Sequence, residues 1–224
     1  MFNALLRIMR HEITSIFREA HAWLTPILFF IITVCLFPLA LGSDDPLLNH
    51  MAPCIIWISA LLAILMSIGN LFRQEAEEGY LDVLILSSHS LTLWVLCKML
   101  THWILYCLPL ILISPLLGIL LHLNTSEMLL LISGLLLGTP VLILLGGIGA
   151  ALLVGIRGSG LLLPILIMPL YIPVLIFGPG ILLTYHAHLP ITLHFAMMGA
   201  FIALSLAFAP LLTSVALRLG VNSS

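Results

Sequence analysis

Six stretches of this 224-residue chain are apolar over a length that only membrane helices commonly use. A helix rises about 1.5 Å per residue, so crossing roughly 30 Å of hydrocarbon takes about 20 apolar residues. Runs of that size fall at 23–41, 51–71, 93–121, 128–154, 161–183 and 191–217. Hydrophobic residues make up 62% of the chain and charged ones 7%, with a mean hydropathy of +1.28. A soluble domain keeps its surface wet with about 25% charged residues. Most of this surface must therefore meet lipid. The expected fold is an all-α integral membrane protein, one domain over 1–224, with no length left for a nucleotide-binding domain.

Orientation follows from the basic residues. Arg7, Arg10, Arg18, Arg73, Lys98, Arg157 and Arg218 all fall on the side of the N-terminus when six spans are threaded. Asp44, Asp45 and Glu127 occupy the opposite loops, which hold no lysine or arginine. Basic loops stay inside, so both termini are expected in the cytoplasm. The N-terminal stretch has scattered charges and no cleavage site after a short apolar core, and does not read as a removable signal peptide. Over 2–20, apolar positions 5, 6, 9, 13, 16 and 17 keep a helical period, which predicts an interfacial amphipathic helix; the alternative is a polar lead-in to the first span. Prolines at 109, 115, 140, 164, 169, 173 and 210 predict kinks relieved by neighbouring helices. Gly178-Pro179-Gly180 is expected to end the fifth helix early, leaving 181–189 as a short re-entrant or interfacial piece.

Chemistry-bearing groups are few. No nucleophile triad, phosphate loop or HExxH occurs, which argues against an enzyme. Cys35, Cys54, Cys97 and Cys107 stand singly in apolar runs, without metal-ligand spacing. Gly147, Ala151 and Gly155 form a small-residue face for close helix packing. Four of the nine acids, Glu75, Glu77, Glu78 and Asp82, crowd into the loop at 73–90. After Gly79, residues Leu81, Leu84 and Ile85 share one helical face. The segment reads either as a short surface helix or as a solvated connector. Among nine histidines, His186 and His188 flank Ala187 near one boundary, and His102 lies inside the third run. Histidine can ligate haem iron, and an ionisable group within a span is a site hypothesis; either role competes with simple interfacial or interhelical bonding.

The acidic stretch, the glycine, Leu81-Asp82-x-Leu84-x-x-Ser87 and Lys98 together resemble the coupling-helix region of ABC-2-type transporter permeases. That resemblance assigns contact with a separate ATPase subunit to Glu75, Glu78, Gly79, Leu81, Asp82 and Leu84. Further strings occur in order: Leu36-Phe37-Pro38-Leu39, Ala52-Pro53-Cys54-Ile55-Ile56-Trp57, His102-Trp103, Leu108-Pro109-Leu110 with Ser114-Pro115-Leu116, Leu137-Gly138-Thr139-Pro140, and Pro169-Leu170-x-Ile172-Pro173-x-Leu175-Ile176-Phe177. As a set they resemble the CcmB family, the haem exporter protein B of cytochrome c maturation. The resemblance implies a six-span permease of the bacterial inner membrane, acting as a homodimer with a CcmA-like ATPase. CcmC-like and CcmD-like membrane partners and a CcmE-like haem chaperone are also implied. Haem would be cargo rather than a bound cofactor, and ATP would act through the partner; haem export and release of the loaded chaperone both remain open. The alternative class is a non-transporting membrane scaffold for a haem-handling complex. His102, His186 and His188 are the candidates for contact with cargo.

Overall fold

The computed structural model describes residues 20–42, 46–81, 84, 90–154 and 162–221. Its helices are α1 (Ala20–Leu41), α2 (Pro46–Ile68), the five-residue α3 (Arg73–Glu77), α4 (Leu91–His102), α5 (Leu108–Leu120), α6 (Thr125–Leu152), α7 (Leu162–His186) and α8 (Thr192–Val221). A π-helical turn, Trp103–Cys107, joins α4 to α5 in one continuous span. Six helices are long and apolar enough to cross a membrane: α1, α2, α4–α5, α6, α7 and α8. The interfacial helix expected over 2–20 lies outside the described residues, apart from Ala20 at the start of α1.

Side-chain contacts show the spans alternating up and down. At one end the Asn49 side-chain amide donates to the His122 carbonyl at 2.7 Å, and His186 bonds Glu127 at 2.8 Å. This joins the start of α2, the turn after α5, the start of α6 and the end of α7. At the other end the Thr92 hydroxyl donates to Ser214 Oγ at 3.3 Å, and a methyl placed on Gly69 would touch Leu163. This joins the start of α4 to the end of α8, and the end of α2 to the start of α7. Arg73, Lys98 and Arg218 lie at the second, basic end; the histidine-rich end is opposite.

Helix ends depart from the apolar runs where polar residues take part in the fold. Helix α6 begins at Thr125 because Asn124 and Glu127 form a reciprocal capping box: each side chain accepts from the other residue's backbone N–H. Helix α7 does not end at Phe177 as its Gly-Pro-Gly predicts. It runs through to His186, and no re-entrant piece follows. The glycines there serve packing: a Cβ on Gly178 would lie 2.6 Å from the Trp57 ring, and one on Gly180 would lie 2.7 Å from the His194 ring. Pro179 forfeits one backbone bond, which a helix held between neighbours tolerates. The π turn has a related cause. Pro109 lacks an N–H and its ring crowds the carbonyl of Leu105, which the wider turn moves aside.

Glycines set the packing of α6 against everything around it. Lipid is as apolar as leucine, so helices associate in a bilayer by close van der Waals fit rather than by exclusion from water. The indole of Trp57, buried on α2, fills a slot lined by Gly134 and Gly138 of α6 and Gly178 of α7. Farther along α6, Gly146 receives Ile68 and Tyr171, Gly147 receives Met99, and Gly149 receives Ile167. The Tyr171 hydroxyl is satisfied by the Leu142 carbonyl at 2.7 Å. Gly147 and Ala151 of the small-residue face are thus buried within the bundle, while Gly155 lies outside the described residues.

A methyl at Gly138 would run into the rigid, buried Trp57 ring and lie 2.7 Å from Met198 Cε. Gly138→Ala is expected to cost about 1–3 kcal/mol through overpacking. Gly199→Ala faces open space on the same bundle and serves as the control. Thermal unfolding of the purified protein in detergent should show a lower midpoint for the first variant alone; equal shifts would rule out the slot as the cause.

Candidate functional site

The acidic loop leaves the basic end of the bundle on two anchors. Phe72 and Leu81 are both buried to within 1% of full enclosure, and Leu84 packs partly against the core. Between the anchors, α3 is one short turn whose exposed side is laced by Arg73–Glu77 at 2.8 Å and Gln74–Glu78 at 3.0 Å. These are surface i,i+4 pairs and hold little energy. Gly79 adopts φ +69°, a left-handed conformation that turns the chain back towards Leu81 and that glycine accepts without strain.

Two side chains of α3 face inward: Ala76 packs partly against the core, and Glu75 is the charged one. Glu75 forms an ion pair with Lys98 of α4, whose side chain is 5% exposed. The Lys98 ammonium also lies over the Trp94 ring, 5.5 Å from its centre, and Trp94 leans on Phe72 at 6.2 Å.

The six loop positions singled out from sequence therefore divide. Glu75, Leu81 and Leu84 turn to the chain's own bundle; Glu78 and Gly79 are exposed; Asp82 lies outside the described residues. Tyr80, 47% exposed between two anchored segments, is a surface residue that sequence reading passed over. The loop thus presents Glu77, Glu78, Gly79 and Tyr80 on a firmly held base. Beside it, a groove of about 580 Å³ is lined by Phe29, Met66, Phe72, Val154 and Leu163, with Asn70 and Arg73 as its polar lining.

The candidate histidines are not brought together. His102 is buried next to Ser67 near the end of α2, whereas His186 stacks on His50 near its start, at 6.2 Å between ring centres. Seventeen positions on one helix separate those contacts by about 25 Å, so one haem iron cannot take both. The Ser67 hydroxyl spends its hydrogen on the Ile64 carbonyl at 2.9 Å. His102 must then donate from Nε2 to Ser67 Oγ at 3.1 Å, and its ring stacks on Tyr106 at 4.2 Å. His186 Nε2 is likewise engaged by the Glu127 carboxylate.

His188 and His122 have a simpler explanation. Their φ values are +55° and +60°, and each closes the helix it follows. The Leu189 N–H reaches the Thr184 carbonyl and the His188 N–H that of Tyr185; Leu123 and His122 repeat the pattern on Gly118 and Ile119. These are left-handed helix caps, a place where histidine is enriched when glycine is absent. Among the described residues no group of three or more histidine, cysteine, aspartate or glutamate side chains could hold a metal ion.

Comparison with known proteins covers almost the whole chain. A family described as CcmB protein matches residues 3–220. Heme exporter protein B of Pseudomonas aeruginosa is 42% identical over 222 residues, covering 99% of this chain and 100% of the relative. The protein of that name from Haemophilus influenzae is 39% identical over 218 residues, covering 97% and 99% of the two chains. Its Escherichia coli K12 namesake is 40% identical over 216 residues, covering 96% and 98%. With a single six-span helical bundle matched end to end in this way, the chain belongs to the CcmB family.

Proposed function

We propose that this chain is the membrane permease subunit of an ABC-type haem exporter serving cytochrome c biogenesis. A separate ATPase docks on the acidic loop and drives it. The full-length likeness to relatives named heme exporter protein B carries this reading. The loop supports it physically. Its exposed crown of Glu77, Glu78, Gly79 and Tyr80 stands on buried Phe72 and Leu81, so force applied there enters the bundle instead of bending a slack connector. The distribution of charge supports a cytoplasmic basic end, with Arg73, Lys98 and Arg218, which puts the loop on the ATPase side of an inner-membrane protein. A homodimer, CcmC-like and CcmD-like membrane partners and a CcmE-like haem chaperone complete the assembly. Haem is its cargo, whether exported directly or released on the chaperone.

Four outcomes are expected. Tyr80→Ala and Glu78→Arg should weaken ATPase retention on purification of the complex by roughly tenfold, about 1.4 kcal/mol, and lower c-type cytochrome formation with it. Intact retention and maturation in both variants would sink the docking assignment. In a cysteine-free background, Glu77→Cys should react with a membrane-impermeant maleimide only in inverted vesicles, and His188→Cys only in intact spheroplasts; the reverse pattern would invert the topology. His188→Ala, which leaves the backbone cap bonds available, should leave maturation near normal. His186→Ala should lower the thermal midpoint by leaving buried Glu127 short of a donor, a cost of about 1–3 kcal/mol. Normal maturation in His102→Ala, His186→Ala and His188→Ala alike would end any haem-ligand role for them.

A further inference from the structure

We propose that Glu75 and Lys98 are the joint through which the acidic loop moves the third span, and that the π turn at Trp103–Cys107 is the pivot of that movement. This rests on the reading of the loop as the ATPase-docking element.

The pair is unlike the other ion pairs of the loop. Arg73 and Glu77 are 69% and 65% exposed, so water replaces either partner at little cost. Glu75 and Lys98 are 14% and 5% exposed. The second carboxylate oxygen of Glu75, Oε2, is enclosed and has no hydrogen-bond partner among the described residues. Compensation of that buried charge therefore falls on Lys98. Pulling the two apart would take from the enclosed Glu75 carboxylate its ammonium partner in a poorly hydrated place, whereas moving them together costs nothing of the kind. The aromatic pair beside them, Phe72 from the loop and Trp94 from α4, moves as part of the same block. A displacement of α3 is thus delivered to α4.

What α4 can do with it is set one turn deeper. Lys98 sits a single helical turn before His102, where the α-helix gives way to the π turn and then to Pro109. A π turn replaces i→i+4 bonding locally, and Pro109 removes a further donor, so the span is least stiff here. Polar contacts hold the turn in place from both sides: His102 Nε2 to Ser67 of α2 at 3.1 Å, and Trp103 Nε1 donating to Thr139 Oγ of α6 at 2.9 Å. A rod that is soft at one point, pinned there and loaded at one end will tilt about that point. Thr92, at the loaded end, bonds Ser214 of α8, so the last span is tied to the same movement.

The test uses the complete complex with its ATPase in lipid. Lys98→Met preserves length and removes the charge. It should leave the ATPase bound and hydrolysing, while c-type cytochrome formed per ATP falls roughly tenfold; the exchange Glu75→Lys with Lys98→Glu should restore most of it. A Lys98→Met complex with bound ATPase and undiminished yield per ATP overturns the joint. Failure of the docking reading looks different: the ATPase then stays bound in Tyr80→Ala and Glu78→Arg.

Should Lys98→Met fail to accumulate, spin labels on the unaltered joint decide. With cysteines introduced at Glu77, Leu93 and Ile119 and the four native ones replaced by alanine, the 77–93 distance should stay fixed between nucleotide-free and ATP-trapped states. The 93–119 distance across the π turn should change. A changed 77–93 distance, or an unchanged 93–119 distance, overturns the proposal.

Discussion

The fit of Trp57 into glycine is the contact on which the rest of the bundle depends. Its indole occupies space that three missing side chains vacate, at Gly134, Gly138 and Gly178. Because hydrocarbon outside the protein competes equally for apolar side chains, only a surface that matches better than lipid holds helices together. The slot therefore fixes how α2, α6 and α7 approach one another. The glycines farther along α6 do the same for Ile68, Met99, Ile167 and Tyr171. Helix α6 is in this sense the post around which the second, third, fifth and sixth spans are set.

Polar contacts occupy the places where this packing stops. At the histidine end a short chain of bonds, Asn49 to the His122 carbonyl and His186 to Glu127, ties four helix ends. Glu127 does double duty there, capping α6 through one oxygen and holding α7 through the other. At the basic end the Glu75–Lys98 pair is the buried ion pair among the described residues, beside the exposed Arg73–Glu77 pair and the Thr92–Ser214 bond. The two ends are thus built for different work. One is cross-braced by several neutral or partly neutral bonds. The other joins the loop to the third span through a buried ion pair next to the π turn in that span.

Much of the fold was legible in the chain because the bilayer enforces it. Apolar length alone identifies six spans, and Gly79 among acids marks the turn of the loop. What the chain left hidden shares a cause. Gly178-Pro179-Gly180 has the composition of a helix end, yet its glycines are contact surfaces for Trp57 and His194, which lie far away in sequence or beyond a turn. His188 stood among the candidates because histidine carries chemistry, yet it closes a helix just as His122 does. The signal that they are caps was local: each ends an apolar run just before a leucine that can return to the helix. The inward turn of Glu75 had no local signal. Its partner lies 23 positions on, across a segment whose path sequence does not give.

Sequence by itself determined the class of this protein, the number of its spans and the asymmetry of its charges. These follow from the thickness of hydrocarbon and the cost of placing charge in it, and neither needs a partner residue to be known. Tertiary structure alone decided which histidines cap, which acid faces inward, and that three glycines share one tryptophan. Such outcomes depend on distances between residues remote in the chain. In a bilayer, where burial of apolar surface discriminates so little, it is those close contacts that select one arrangement of six similar helices over the others.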